Sequence, residues 1–590
     1  MKKLSTVIIR KDIKAISKFI LSKRSLLWIF PLLITLCYWI ILFLDKEFYY
    51  KWLILALWLI SLLFFLYSSA LFKFKRISFT TPNPELLLII ATAIFVSFFQ
   101  LKNIPFVTIG DMLRDGGLDA LTIISGETKN IFAYGRYESH GLIIPTFSAI
   151  FHLFFGDSPM IFKVACAIVA VLDAILLYTL MKKFINSKSA LIGSLILVFT
   201  PLHLYYGRTE IVVIFSSLLT TLLLLSLYRF LSNRNLSNII ILSLTIGFSL
   251  NFHASVKTVS YLTLLILALT VTYYTLKDRR VLPILGKGVL ILMFVIIGFG
   301  PRLKYTSLDI LFHTRTITAI EQVDNTNEES GLSKTYTTLS ENYPKSLMIY
   351  FYEHTTSHFS SFAPIQPFSF SLFFVIGLIF LIKNLDKKSI IAVYALVLPL
   401  TNSALTDAVN GDHRLAPLLP VSAIIISYGT YMFTQMFNTG ELRRYILTLS
   451  AFCLVFVNLA FNYYQFFFVM DVGAQAYNPK PEEEYLITYT NQVLQKEVLE
   501  KNVCLHLSSE IYEVFDLMHF KETFKFYNID KDVKLFLDEN VSSTTVYVTR
   551  KCSNNISDLE YTDYNYCEKY TKYLCPEDTE GLRIKIENTL

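Results

Sequence analysis

Three carboxylates, Asp111, Asp115 and Asp119, stand four residues apart in the stretch GDMLRDGGLDA (110–120), with Arg114 among them. If the stretch is helical, that spacing puts all three on one face. A carboxylate held there suits general-base work, because partial burial raises its pKa, a neighbouring guanidinium lowers it, and the balance tunes how strongly it takes a proton. Solvated loop charge is the plainer account of an acidic residue, and it covers most of those in this chain. It covers this cluster less well, because the sequence around it avoids charge. Two other spellings read as surface: His354 and His358 are an i,i+4 pair lacking a third metal ligand, and Asp530-Lys531-Asp532 lies far along the chain from these acids.

The elements that must position the acids are membrane helices. Of 590 residues, 54% are hydrophobic and 17% charged, and the mean hydropathy is +0.50, outside the soluble globular range. Apolar stretches of roughly span length recur along most of the chain, and lipid satisfies no backbone polar group, so they must be helical. Window length gives about thirteen spans, at 25–44, 52–72, 85–101, 158–181, 190–205, 211–228, 238–251, 258–276, 286–300, 368–383, 389–405, 415–434 and 445–468. The basic first 24 residues run into an apolar stretch long enough to span, so no cleavable leader is expected.

Basic clusters set the orientation. KFKR (73–76), MKK (181–183), YRFLSNR (228–234), KDRR (277–280), KNLDKK (383–388) and ELRR (441–444) should all face the cytoplasm. They do so if residues 140–155, which include Pro145 and His152, form an interfacial or re-entrant helix rather than a span. The amino terminus is then inside, the carboxyl terminus outside, and residues 102–157 and 301–367 form two long outer loops. Three regions follow: 1–84 with two extra spans, a membrane domain over 85–470, and a small extracytoplasmic α/β domain over 471–590. The last region has strand-like runs at 503–508, 533–537 and 544–550. It also holds Cys504, Cys552, Cys567 and Cys575, an even number consistent with one or two disulfides of unreadable pairing, or with free thiols. Asn540 and Asn555 open sequons that would be glycosylation acceptors where such machinery acts.

The series RDGGLDALTIISGETKN (114–130), HGLIIP (140–145), the run 155–184 and ALIGSLILVFTPLHLYYGRTE (190–210) resembles the amino-terminal half of the GT-C membrane glycosyltransferases. The likeness is to the family 39 branch of protein O-mannosyltransferases and lipid A aminoarabinose transferases. It covers residues 85–230, with a weaker echo at HRLAPLLP (413–420). The resemblance implies that a first-loop carboxylate is catalytic, and the matching position is Asp115, with Asp111 its rival. This chain departs from the family pattern in having Asp115-Gly116 where Asp-Glu is common, and Gly141-Leu142 where two prolines are common.

What the resemblance implies chemically is transfer of a sugar from a polyprenyl phosphate to an acceptor outside the cytoplasm. A base takes the acceptor's proton and cations hold the departing phosphate. Cations near predicted outer span ends are Arg208, Lys257, Arg302, Lys304, His413 and Arg414, with His140 and Glu210 as further substrate-binding residues. Arginine suits phosphate because its planar fork binds two oxygens at once. Each has a duller reading: Arg208 and Glu210 as a surface pair, Lys257 snorkelling to headgroups, Arg302 and Lys304 on anionic lipid. A monophosphate donor creates no need for a divalent metal or other cofactor, and no nucleic-acid partner is expected. Two other classes stay open. A transporter or flippase of lipid-linked sugars should bury ionisable groups near midplane, where the spans hold mainly Asp173, and a polysaccharide polymerase or ligase should use later loops.

Overall fold

The computed structural model describes residues 23–71, 83–99, 143–155, 160–208, 213–277, 282–306, 331–351, 370–384, 386–401 and 411–436, parts of 101–133 and 445–494, and short segments beyond 500. The helices are α1 (Lys23–Leu44), α2 (Lys51–Leu71), α3 (Pro84–Phe98), α4 (Ile143–Phe155), α5 (Met160–Phe184), α6 (Ser187–Val198), α7 (Pro201–Tyr206), α8 (Ile214–Ser232), α9 (Leu236–Ser249), α10 (Ala254–Lys277) and α11 (Leu282–Phe299). A 3-10 turn follows over Gly300–Tyr305, then α12 (Gly331–Met348), α13 (Ser371–Asn384), α14 (Ile390–Pro399), α15 (Asp412–Leu415) and α16 (Leu418–Met436). Among the described residues five helices are long and apolar enough to cross a membrane, and six further apolar helices are shorter. The chain is an integral membrane protein.

Local chemistry sets several boundaries. Asn83, Asn186 and Asn235 cap α3, α6 and α9, each side chain accepting a backbone N–H of the first turn. The expected span at 190–205 is in fact two helices, α6 and α7, because Pro201 has no N–H to continue α6 and instead takes the first position of α7. Residues 143–155 are helical as the sequence reading required, with Pro145 in the first turn, where proline is tolerated. Helices α9 and α11 pack backbone to backbone: a Cβ on Gly247 would stand 2.0 Å from Val295 O, and one on Gly298 would stand 2.4 Å from Leu244 O. Such contact between small residues supplies cohesion where lipid offers no hydrophobic drive.

Two ends of the bundle are chemically distinct. At one, Lys182 lies over Tyr178, Lys387 over Tyr228, and Lys388 over both Phe184 and Tyr428. Tyr228 Oη donates to Lys183 O at 3.0 Å. Arg234 stacks 3.5 Å over Tyr274, near the end of α10. The clusters MKK, YRFLSNR and KNLDKK therefore share one end, as one-sided positive charge requires; KFKR and ELRR lie outside the described residues. At the other end sit the α1–α2 turn, the α9–α10 junction, the 3-10 turn and Thr128 of the first long loop. Asp45 holds the α1–α2 turn there, accepting Tyr49 N at 3.0 Å and Tyr50 N at 2.8 Å, and Lys51 Nζ donates to Thr128 O at 2.9 Å.

Beyond residue 500 the described strands are β1 (Asn502–Leu507), β2 (Asp532–Leu537), β3 (Thr545–Thr549), β4 (Tyr561–Asn565) and β5 (Arg583–Glu587). They form one mixed sheet in the order β2-β1-β3-β5-β4. The first three coincide with the three strand-like runs read from sequence. In β1 every residue from Val503 to Leu507 is buried, so this strand is covered on both faces. Cys504 is disulfide-bonded. Cys37, Cys166 and Cys453 form no disulfide, and Cys552, Cys567 and Cys575 lie outside the described residues.

Candidate functional site

Two of the expected cations lie where α9 and α11 end and α10 begins. Arg302 is carried by the 3-10 turn after α11, and its Nη1 donates to Asn251 O at 3.0 Å. The Asn251 side chain donates in turn to Phe299 O at 3.2 Å and Phe248 O at 3.1 Å, tying the α9–α10 junction to the end of α11. Gly300 makes the turn possible: its φ is +70°, and a Cβ there would stand 2.3 Å from the indole of Trp58. Trp58 Nε1 donates to Ile297 O at 3.0 Å, so α2 braces the turn from outside. A cavity lined by Trp58, Phe132, Asn251, Phe299 and Arg302 opens beside it.

Lys257 lies in the first turn of α10 and within the electrostatic field of Arg302. It is 3% exposed and Arg302 is 4% exposed. Lys257 is thus enclosed by protein rather than extended along a lipid-facing surface. Arg414, 8% exposed, sits on α15, which packs against α10. His413 precedes it on the same short helix, and its side chain lies outside the described residues.

Arg208, 1% exposed, follows α7 directly. Its guanidinium Nη2 donates to Phe99 O, where the chain leaves α3 for the loop that carries GDMLRDGGLDA. Lys304 behaves differently: its side chain is exposed, Nζ donates to Leu42 O at 2.8 Å, and it lies over the rings of Phe43 and Tyr305. That is the geometry of a helix-end clasp. Asp111, Asp115, His140, Glu210, His354 and His358 all lie outside the described residues. Among the described residues no group of three His, Cys, Asp or Glu side chains is placed to hold a metal ion.

Two features were not anticipated as site residues. Lys163, 0% exposed, lies near the start of α5 on the stripe that also buries Cys166, Ala170 and Asp173. The residue is visible in sequence as a lysine at the head of a span, but its enclosure is not. Asp173 stands deeper in α5, against His203 of α7 and two hydroxyls of α8; its sequence signal is an acid inside an apolar run.

Residues 139–306 match the family model described as dolichyl-phosphate-mannose-protein mannosyltransferase. Among solved structures, ArnT from Cupriavidus metallidurans bound to undecaprenyl phosphate is 11% identical, with a TM-score of 0.46 covering 76% of this chain and 85% of that one. The archaeal oligosaccharyltransferase AglB from Archaeoglobus fulgidus, in complex with an inhibitory peptide and a dolichol-phosphate, is 12% identical, with a TM-score of 0.41 covering 73% and 59%. The search of curated proteins gave no match. The matched residues 139–306 contain Lys163, Arg208, Lys257 and Arg302, and over that stretch the chain is similar to that family.

Proposed function

We propose that the chain transfers a sugar from a polyprenyl-phosphate donor to an acceptor at the extracytoplasmic face, with Asp115 as general base and Asp111 as its alternative. The observation that supports this reading is the burial of Lys257 in the first turn of α10 and of Arg302 on the turn after α11, whose guanidinium reaches the α9–α10 junction. Two enclosed like charges repel, and removing each from water costs several kcal/mol. An anion bound at this end would offset part of both costs, and a phosphate leaving an anomeric carbon is such an anion. Arg208 and Arg414 lie at the same end of the bundle as Lys257 and Arg302, and Lys163 joins them from α5.

In this reading the first-loop carboxylate takes the proton of the acceptor hydroxyl as its oxygen attacks the anomeric carbon. The bond from that carbon to the phosphate oxygen breaks, and the cations receive the negative charge. The donor's prenyl chain lies among the apolar helices. A monophosphate leaving group places no demand for a divalent metal on this mechanism, and none is proposed. The basic end with Lys182, Lys387 and Lys388 is cytoplasmic, and the strands beyond residue 500 are extracytoplasmic.

The test is transfer of a labelled sugar from a polyprenyl phosphate by the full chain in proteoliposomes. Asp115→Asn should lower the rate by about 10²–10⁴-fold, the range of a general base. Full activity in Asp115→Asn and in Asp111→Asn would remove the base. A flippase of lipid-linked sugars is the second reading, favoured by the enclosed Asp173 in the middle of α5; it predicts movement of donor across the bilayer with no transfer.

A further inference from the structure

Asp173 is fully enclosed and the transfer chemistry makes no direct use of it. Its Oδ2 accepts from Ser217 Oγ at 2.5 Å and its Oδ1 from Thr221 Oγ1 at 2.6 Å, two hydroxyls one turn apart on α8. His203 Nε2 lies 3.6 Å from Oδ2, and the two side chains are 3% and 0% exposed. An ionisable pair inside an apolar bundle is costly, and packing alone does not call for one.

The geometry of α7 shows what the pair can do. This helix has six residues, too few to persist by its own hydrogen bonds. Its N-cap residue, Thr200, gives it no side-chain bond, because Thr200 Oγ1 donates backward to Ile196 O at 2.7 Å. Two contacts lay α7 along α5. His203 meets Asp173, and Gly207 meets Ala170 so closely that a Cβ on residue 207 would stand 2.8 Å from that of Ala170. Residues 170 and 173 share one face of α5, and 203 and 207 are one turn apart, so the two contacts define a register. Arg208 comes immediately after the second contact and reaches Phe99 O at the entry to the first long loop. A one-residue slip of α7 would move Arg208 by about 1.5 Å along the axis. Displacements of about 1 Å can cost about 10²-fold in rate.

We propose that Asp173, acting through His203, is a positioning residue: the pair sets the register of α7 on α5 and thereby the place of Arg208 at the donor phosphate. The inference rests on the donor-phosphate reading of Arg208. Ser217 and Thr221 of α8 hold both carboxylate oxygens in place, which leaves Oδ2 3.6 Å from His203 Nε2 on α7. Nothing in the transfer reaction itself passes through Asp173.

Binding of undecaprenyl phosphate to the full chain in nanodiscs tests it, with wild type, Asp173→Asn, Arg208→Ala and the double variant compared. Asp173→Asn should weaken binding about tenfold, and the same change in the Arg208→Ala background should weaken it less than about twofold, the non-additivity of residues acting in series. Thr221→Val, which keeps volume and leaves the Asp173–His203 pair, should weaken binding in the same direction by a smaller factor. Equal losses from Asp173→Asn in both backgrounds would show a general packing role and overturn the proposal, as would unchanged binding in both Asp173→Asn and Thr221→Val. Failure of wild type to bind undecaprenyl phosphate, or binding unaffected by Arg208→Ala, would instead remove the donor reading on which the inference stands. Should Asp173→Asn fail to fold, Thr221→Val with and without Arg208→Ala carries the same comparison.

Discussion

At one end of the helical bundle Lys182 and Lys387 are exposed and Lys388 is half-buried, each lying over an aromatic ring. At the other end Lys163, Arg208, Lys257, Arg302 and Arg414 are all enclosed. The residue types are the same and the energetics are opposite. A cation over a ring at an exposed site gains about 0.5–1 kcal/mol and keeps most of its water. A cation inside protein loses that water at a cost of several kcal/mol, which only an opposing charge or strong acceptors offset. The exposed end reads as an orientation device, and the enclosed end is the one that the proposed function uses for the donor phosphate.

Substitutions at the two ends should differ by orders of magnitude. The largest effect expected from the proposed function is that of Asp115→Asn, as given above, because it removes the proposed general base. Next comes Arg302→Ala, which removes one of the cations proposed for the donor phosphate and leaves the Asn251 carbonyl without its donor; donor binding should fall by about 2–5 kcal/mol, read as the ratio of dissociation constants. Gly300→Ala should follow, since a methyl at φ +70° would collide with Trp58 and shift the turn that carries Arg302. Its expected signature is a lower thermal midpoint together with weaker donor binding, and a compensating Trp58→Phe should recover part of both. The smallest effect is that of Lys388→Ala, under about 1 kcal/mol in stability and none in transfer. A large loss of transfer from Lys388→Ala would dissolve the contrast between the two ends.

Sidedness sharpens the same comparison. In intact cells an impermeant maleimide should label Lys129→Cys, beside the α1–α2 turn, and should label Lys388→Cys only after permeabilisation. Lys129 and Glu47 make an exposed pair at 3.9 Å, so the replacement disturbs little. The reverse pattern would put the enclosed cations on the cytosolic face and exclude an extracytoplasmic donor site.

Much of this architecture is legible in the chain because hydropathy and Lys/Arg placement act over whole segments. The helix at 143–155, the joining of MKK, YRFLSNR and KNLDKK at one end, and the strands at 502–507, 532–537 and 545–549 all follow from such patterns. The break between α6 and α7 is legible too, in Thr200-Pro201, but a window of hydropathy averages over it. What the chain does not reveal on its own is enclosure. Lys257 and Lys304 are both lysines at span ends, yet one is buried beside Arg302 and the other clasps Leu42 O, because helix packing rather than local sequence decides which face is covered. The partnership of Asp173 with His203, Ser217 and Thr221 joins residues 30 to 48 apart in sequence through three helices, so no local spacing encodes it. Lys163 escaped notice for the same reason.

The most direct test of the anion reading compares undecaprenyl phosphate with undecaprenol, which has the same chain and no phosphate, as ligands of the full-length protein and of its Lys257→Met/Arg302→Ala double variant. Wild type should bind the phosphate more tightly than the alcohol by at least about 100-fold, roughly 2.7 kcal/mol, and the double variant should lose that preference while retaining its affinity for the alcohol. Equal affinity of wild type for both ligands, or a preference that survives in the double variant, would contradict the account.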